Sequence, residues 1–498
     1  MTRPLVRLMI TFVLGIGTLC MTGGAIAQER NMDMTVQDCI DRALTQNLNL
    51  HAQKLGLDIS HLTITQEKAA FDPTLSMSVS RGESNSPNYI EYIPVSTIEQ
   101  KSSNANLTLN QRLATGTYWD MGFYNTLSES NIEKNKNYTS WLGFSVRQSL
   151  LKGFGREIHR SGIYVAELES VAAVYDLEEQ ALDLVGQAVT TYWNLVYARQ
   201  TLHIYELSRA QADSLYAYNK KAMELGVKTE SDVLEARSAL LQRDQDILDQ
   251  RAAIRDIEDR LKKILNIAEE DNVRIVPLDD LAQSVITIDV PRLFNEALEN
   301  RPDYKRALIR IEEQERYITV AENNTKPDLS LSATYRLNSS GESYGDNVES
   351  LSDHDTYNWE VGLSLALPIR NRDAKAQLAK RRIERNRSDI MIDDLKDQIM
   401  TDLRIAARAV ESNREKIEVA ALAVEVNELK LRMEEERYRN HLSTSYIVLE
   451  YQTDLANARN SYKRALVDYT NAVTELKRTQ GTLLRDYDIN IISGNPKQ

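Results

Sequence analysis

Apolar positions in the second half of the chain repeat with the period of a coiled coil. Between residues 448 and 476 they recur at steps of three and four, at Val448, Tyr451, Leu455, Ala458, Tyr462, Ala465, Tyr469, Ala472 and Leu476. The same register in the first half, from Val233 to Leu261, is apolar at seven of nine positions. Each seam follows a longer helical segment, residues 156–224 and 371–439. At a rise of about 1.5 Å per residue, each longer segment spans about 100 Å, which predicts a column rather than a globular-domain helix.

Residues 72–150 and 327–368 instead alternate with a period of two, as β-strands do. Leu75, Met77 and Val79 face one way, and the serines between them face the other. The stretch "NANLTLNQRLATGTYWDMGFYNT" predicts an additional hairpin, Asn106–Arg112 and Tyr118–Asn125, with its turn at residues 114–116. One apolar and one polar face fits either a soluble sandwich or a membrane barrel with a wet lumen. Strands of about 9–11 residues favour the barrel.

The two halves are copies of one unit. "DRALTQNLNL" (41–50) resembles "NEALENRPDY" (295–304), "DPTLSMSVS" (72–80) resembles "KPDLSLSAT" (326–334), and "LGFSV" (142–146) resembles "VGLSL" (361–365). The offset falls from 254 to 219 residues after the second match, so the first copy carries about 35 additional residues between 81 and 141. The predicted organisation is a first unit at 28–266, a linker at 267–290, a second unit at 291–482 and a tail at 483–498.

Each unit predicts a tight turn between its two long helices, near 226–229 ("GVKTESDVLEA") and near 441–445 ("HLSTSYIVLEY"). Gly226 suits the left-handed position that ends the outgoing helix, and Thr229 with Asp232 forms a capping pair for the returning one. In the second turn Ser443 or Thr444 is expected to cap. His441 stands where glycine is expected.

The N-terminus predicts a secretory signal at residues 1–27. Arg3 and Arg7 precede an apolar run at 8–19, and Ala25-Ile26-Ala27 gives a small-x-small cleavage site. The alternative is lipid attachment at Cys20, which Leu19 disfavours because lipoprotein signals have a small residue there. No other segment approaches the length of a transmembrane helix, so strands would have to cross any membrane.

Charge and side-chain chemistry argue against several classes of protein. The formal net charge of −13 disfavours nucleic acid as a partner. After signal removal Cys39 is the one cysteine, so no intramolecular disulfide forms, and its helical context predicts simple packing. The six histidines lack metal-ligand spacing, and neither a phosphate loop nor a Gly-x-Ser-x-Gly elbow occurs. The sequence therefore predicts no enzyme, no metal site and no cofactor.

The signal, the twofold repeat, two strand groups and four long helices together resemble the TolC-like outer-membrane factors. "ALTQNLNL", "ALENRPDY", "SVRQSLLKGFGRE", "LGVKTESDVLEAR" and "NHLSTSYIVLEYQ" carry the resemblance in order and spacing. It implies an α+β fold in which a homotrimer shares one transmembrane β-barrel in outer-membrane lipid. Antiparallel coiled-coil hairpins would form an α-barrel tunnel through the periplasm.

That resemblance also implies a passive exit duct of a tripartite efflux or type I secretion system. The duct would dock on a periplasmic adaptor (membrane fusion) protein and serve an inner-membrane pump of RND or ABC type. A coiled-coil scaffold with a soluble β domain remains the alternative. Whether the additional hairpin joins the barrel is left open, so the trimer would have either 12 or 18 strands. The sequence names neither the cargo nor the pump class.

Roles near the turns follow from the same resemblance. Glu450 would contribute to an acidic ring at the tunnel entrance, where the alternative is a solvated surface residue. Asp232 and Glu235 are the equivalents in the first copy, where capping and solvation are favoured over gating. Tyr438 matches a position of gate-tethering aromatics, with plain packing as the alternative. The expected adaptor contacts are Leu225, Gly226, Val227, Thr229, His441, Leu442 and Thr444.

Overall fold

The computed structural model describes residues 30–89, 92, 95–132, 136–268, 273–281, 286–353 and 355–491. The predicted signal at 1–27, with Cys20, lies outside the described residues, as does the end of the tail from residue 492 onward. Among the helices of the described part, none combines the length and the apolar character needed to cross a membrane.

The element order repeats, as the sequence predicts. The first unit consists of β1 (Arg30–Met34), α1 (Val36–Gln46), α2 (Leu48–Ala69), β2 (Thr74–Pro87), β3 (Thr97–Arg112), β4 (Thr117–Ser130), β5 (Asn137–Ser149), α3 (Arg156–His159), α4 (Ser161–Glu224) and α5 (Glu230–Leu265). Next come β6 (Val273–Pro277), α6 (Val290–Asn300), α7 (Pro302–Asn324), β7 (Asp328–Gly341), α8 (Tyr344–Ser350), β8 (Tyr357–Ala366), α9 (Arg372–Arg439), α10 (Ser445–Gln480) and α11 (Leu483–Asp486). Corresponding long helices have 64 and 68 residues, and both returning helices have 36.

The long helices pack side by side as one layer, called the wall below. Helix α4 packs against α5 and α10, and α10 packs against α9, so the order across the wall is α5, α4, α10, α9. Above them α2 and α7 flank α4, and α7 also contacts α9. The predicted seam of α10 is buried at Val448, Leu455, Ala465, Tyr469, Ala472 and Leu476. Burial of one apolar stripe per helix is what the coiled-coil period requires.

A small region made of β1, β6 and α1 packs against α4. Strands β1 and β6 pair in parallel, and the Tyr192 hydroxyl donates to Asp279 at 2.7 Å beneath them. Cys39 is fully buried in the core of this region. Burial, together with the charges of Asp38 and Asp279, raises the pKa of the Cys39 thiol to about 12. The predicted packing role of Cys39 is confirmed, because a neutral buried thiol is a poor nucleophile.

Strands from both units form one antiparallel sheet in the order β2, β3, β4, β5, β7, β8. The predicted hairpin is confirmed as β3–β4 with longer strands, and Gly116 takes a left-handed φ of 89° at its turn. Its registry brings apolar residues of all strands into rows on one face, one of which is Met77, Leu107, Phe123, Leu142, Leu337 and Tyr357. The neighbouring row on the opposite face begins with Ser78 and Asn106.

The apolar face of the sheet is exposed in the single chain. Met77 is 74% exposed and Leu363 is 67% exposed. A soluble scaffold would need this face buried against protein, whereas a membrane-facing sheet needs it open to lipid. An apolar face that no other part of the described chain covers fits the barrel interpretation.

Candidate functional site at the helical tips

The first tip has the predicted turn chemistry. Gly226 adopts a φ of 77°, and the amide of Val227 donates to the carbonyl of Ala222 at 2.8 Å. Thr229 is the N-cap of α5, and its hydroxyl accepts from the amide of Asp232 at 3.3 Å. The carboxylate of Asp232 accepts in return from the Thr229 amide at 3.0 Å. These reciprocal bonds form the capping box that the spacing predicts.

The second tip turns in the same way with different residues. His441 takes the left-handed position with a φ of 61°, which costs more for a residue with a Cβ than for glycine. The expected hydroxyl cap is wrong. Thr444 is the N-cap of α10 but makes no side-chain capping bond. Ser443 lies one residue before the N-cap, and its hydroxyl donates to the buried Glu434 carboxylate of α9.

A buried hydrogen-bond network joins the two hairpins just inside the tips. The Tyr438 hydroxyl on α9 donates to Asn219 Oδ1 on α4 at 2.5 Å. Asn219 Nδ2 donates to the Ser445 hydroxyl on α10 at 2.9 Å, and Ser445 donates to Asp232 Oδ1 on α5 at 3.3 Å. One chain of donors therefore links all four long helices. Asn219 and Ser445 are both 0% exposed, so water cannot replace a lost partner.

The groups around Asp232, at the end of this network, favour the ionised form of its carboxyl group. Desolvation opposes ionisation of Asp232, but hydrogen bonds from Thr229, the charge of Lys228 and the bond from Ser445 outweigh it and lower the pKa of the Asp232 carboxyl. An ionised Asp232 is the acceptor that both the capping box and Ser445 need.

Tyr438 is also enclosed by side chains of both hairpins. Its ring meets Tyr218 edge-on at 6.0 Å, and Lys228 Nζ lies 4.2 Å from the ring centroid. Leu215, Leu431, Val448 and Leu455 complete the cluster. Tyr438 therefore packs in an apolar cluster and also hydrogen-bonds across the two hairpins, and its role in tethering a gate stays a prediction.

The predicted site residues fall into two groups. Tyr438 and Asp232 meet in the network, whereas Glu450 and Glu235 are exposed. Within the described part of the chain, neither of these two glutamates has a hydrogen bond or ion pair. The candidate adaptor contacts lie at the turns, where Leu225 is 80% and Leu442 is 69% exposed, and Gly226, Val227, Thr229, His441 and Thr444 are exposed beside them.

Sequence reasoning missed Asn219 and Ser445. Asn219 lies in a buried seam of α4 between the apolar Leu215 and Ala222, and Ser208 is another buried polar member of that seam. Ser445 opens the seam that continues to Val448 on α10. An amide side chain in a largely apolar seam is a signal of a specific buried contact, and Asn219 gave that signal in the sequence.

No metal chemistry is indicated at the tips or elsewhere in the described residues, which contain no group of three or more His, Cys, Asp or Glu side chains placed to hold an ion.

Comparison with known proteins decides the family. The family model described as "Outer membrane efflux protein" matches residues 39–266 and 293–482, which is most of the chain. The chain belongs to this family. It is an outer-membrane efflux protein with a long periplasmic helical part, and its family comprises channels rather than enzymes.

Solved structures share the fold across the family. The outer-membrane channel OprN has a TM-score of 0.67 at 15% identity, covering 90% of this chain and 89% of that one. The CmeC channel of Campylobacter jejuni gives 0.67 at 15%, covering 92% and 90%. The open MtrE channel of Neisseria gonorrhoeae gives 0.65 at 17%, covering 90% and 89%. At these identities the likeness shows the fold alone.

A curated relative is the "Toxin and drug export protein A" of Aggregatibacter actinomycetemcomitans, 25% identical over 178 residues. The match spans 35% of this chain and 38% of the relative. Toxins and drugs are therefore cargo of that protein.

Proposed function

We propose that three copies of this chain form the passive exit duct of a tripartite efflux or type I secretion system. The observation that carries the proposal is that both lateral edges of the chain are open and suit each other. Members of the family act as trimeric outer-membrane channels of tripartite pumps. The duct performs no chemistry of its own, and the pump supplies the energy.

The edges of the sheet support ring closure. Strands β2 and β8 are the terminal strands of the six-stranded sheet. Because the number of antiparallel strands is even, β2 and β8 run in opposite directions. Strand β8 of one copy can therefore continue the antiparallel ladder onto β2 of the next. Pairing of this kind removes the exposed edges that otherwise promote aggregation.

The helical edges support the same head-to-tail contact. On one edge α5 exposes Leu234, Leu241 and Leu248, spaced by seven residues, and α2 exposes Leu48, Leu55 and Leu62 in the same way. On the other edge α9 exposes Val419, Val426 and Met433, again spaced by seven. Two different apolar stripes that meet across copies give a heterologous interface, which forms a closed ring when three equal rotations between copies complete one turn.

The tips act as the gate in this proposal. The Tyr438–Asn219–Ser445–Asp232 network ties the second hairpin to the first, so the hairpins move apart only when it breaks. Three copies of Glu450 around the axis would favour cations at the entrance. Glu235 remains a solvated candidate for the same charge field.

The exposed turns are the proposed docking surface for the periplasmic adaptor, with the pump of RND or ABC type behind it. Leu225 and Leu442 lie too far from any core to be buried within the chain. Apolar residues grouped at the end of a column are typical of an interaction site. Outer-membrane lipid would cover the apolar face of the sheet.

The deciding experiment is the native mass of the protein extracted by detergent from isolated outer membranes. A discrete trimer that conducts ions in a planar bilayer is the expected result. A monomer, or release without detergent, would refute the duct.

A further inference from the structure

The sheet contains two strands that the internal repeat does not account for. The repeated motifs place β2 opposite β7 ("DPTLSMS" and "KPDLSLS") and β5 opposite β8 ("LGFSV" and "VGLSL"). In the second copy β7 leads to β8 through a connection that includes the short helix α8. In the first copy the hairpin β3–β4 lies between β2 and β5. The hairpin is therefore an insertion into a four-stranded plan.

The inserted hairpin is fully integrated into the sheet on both sides. Strand β3 pairs with β2 from Thr97 to Asn110, and β4 pairs with β5 from Thr117 to Ser128. Both ladders span most of each strand. A loop appendage lying beside the sheet would leave β2 and β5 paired with each other instead.

Side chains on the polar face bridge the same junctions. Asn106 Nδ2 donates to the Ser78 hydroxyl of β2 at 3.4 Å, and Ser145 of β5 donates to Asp120 of β4. The Tyr124 ring of β4 stacks on Trp141 of β5, with centroids 3.7 Å apart.

Glycine makes room for this ring pair. A Cβ on Gly122 would lie 2.2 Å from the Tyr124 ring, and a Cβ on Gly143 would lie 2.8 Å from the Trp141 ring. Gly122 and Gly143 are directly paired across β4 and β5. The stack therefore requires both glycines, one on the inserted strand β4 and one on β5, which belongs to the internal repeat.

The two faces of the hairpin match those of its neighbours. On the apolar face Leu107 and Phe123 lie between Met77 and Leu142 in one row. On the other face, serine, asparagine and threonine side chains continue across β2 and β3, including Ser76, Ser78, Ser80, Asn104, Asn106 and Thr108. Apolar and polar residues therefore alternate in step through the insertion, as a lipid-facing and a water-facing side require.

We propose that the β3–β4 hairpin is a pore-widening insertion, so that three copies of the six-stranded sheet close an 18-stranded barrel. The inference rests on the proposed trimeric duct. Two added strands preserve the up-and-down order, so β8 still meets β2 in antiparallel fashion. Because barrel diameter grows roughly linearly with strand number, the lumen is about 1.5-fold wider than 12 strands would give.

Widening changes where the duct selects its cargo by size. Barrels of about 16–18 strands leave an open aqueous channel. The water-facing side of the wall carries mainly serine, threonine and asparagine side chains, together with Asp120, Arg336 and the Tyr124–Trp141 pair. The outer-membrane segment therefore admits wider polar cargo than a 12-stranded barrel would, and the tighter size limit lies at the tips.

Paired cysteine variants test whether the hairpin is part of the barrel wall. Thr108→Cys and Leu107→Cys probe β3, and Thr334→Cys and Ala333→Cys are the matched pair on β7. Cys39 is fully buried, so the parent chain should show no labelling of its own. Trimers in lipid are treated with a charged, membrane-impermeant thiol reagent. We expect labelling at Thr108→Cys and Thr334→Cys, and none at Leu107→Cys and Ala333→Cys.

The outcomes separate the insertion from the duct. Alternation on β7 with labelling at both β3 positions would place the hairpin outside the wall and overturn the inference, while the duct stands. Loss of alternation on both strands would refute the barrel itself and both proposals with it.

A deletion of residues 97–130 tests the width. In a trimer of this variant, polyethylene glycols added from the extracellular side should be excluded at a radius about 1.5-fold smaller than in the full chain. An unchanged cut-off in a native-mass trimer would contradict the widening. The cysteine test decides the proposal if the deleted chain does not fold.

Discussion

Removal of one hydroxyl group should open the tips. Tyr438→Phe keeps the ring that packs against Tyr218 and Lys228 but deletes the donor to Asn219 Oδ1, now 2.5 Å away. Asn219 is 0% exposed, so its carbonyl oxygen is left buried without that donor. Such an orphaned group costs about 1–3 kcal/mol.

The cost falls on the closed state, because opening the tips lets water reach Asn219. Three independent copies would shift the balance by about 3–9 kcal/mol in a trimer. Since about 1.4 kcal/mol is a factor of ten in an equilibrium constant, even the lower bound raises the open population more than a hundredfold. The assay is the open probability of purified trimers in planar bilayers.

Tyr451→Phe is the matched control. Tyr451 lies on α10 with Lys430 Nζ 4.6 Å from its ring, and within the described residues its hydroxyl has no hydrogen bond. Open probability should rise in Tyr438→Phe and stay unchanged in Tyr451→Phe. Equal behaviour of the two variants and the parent chain would refute the view that this network holds the tips closed.

Four further outcomes are expected. The lowered pKa of Asp232 contributes stability that is present above the ordinary value of 3.8 and is lost as pH falls through the lower folded-state value, so open probability should rise in acid. A response as steep in Asp232→Asn as in the parent would argue against this group. Ala465→Trp overfills a buried seam position, which typically costs about 1–3 kcal/mol, so thermal stability should fall; an unchanged melting temperature would contradict the seam. Leu241→Glu places a charge on the exposed stripe of α5, so the native mass should shift from trimer to monomer. A trimer that persists in this variant would show that the stripe faces solvent. Glu450→Gln should lower the cation preference of the channel in reversal-potential measurements. An unchanged reversal potential would instead support the interpretation of Glu450 as a solvated surface residue.

The sequence was sufficient to predict the elements that depend on local period and turn chemistry. The hairpin turns at Gly226 and Thr229, the α10 seam and the β3–β4 hairpin all form where the pattern places them. Each is specified within a few residues, by a left-handed glycine, a capping pair or an alternation of two. The expected hydroxyl cap of α10 was wrong, because Thr444 makes no side-chain capping bond and Ser443 lies one residue before the N-cap, where it donates to Glu434 across the turn.

The tertiary structure decided which distant residues meet. Asn219 and Ser445 are 226 positions apart, and the hydrogen bond between them exists because α4 and α10 pack side by side near the tips. Membership of β3–β4 in the sheet was likewise undetermined by pattern, since a period of two fits a strand in the wall and a hairpin outside it equally well. The sequence by itself determined the period, the ends and the twofold order of the elements. Which faces and edges adjoin one another was settled by packing, because local periodicity carries no information about the partner that buries a face.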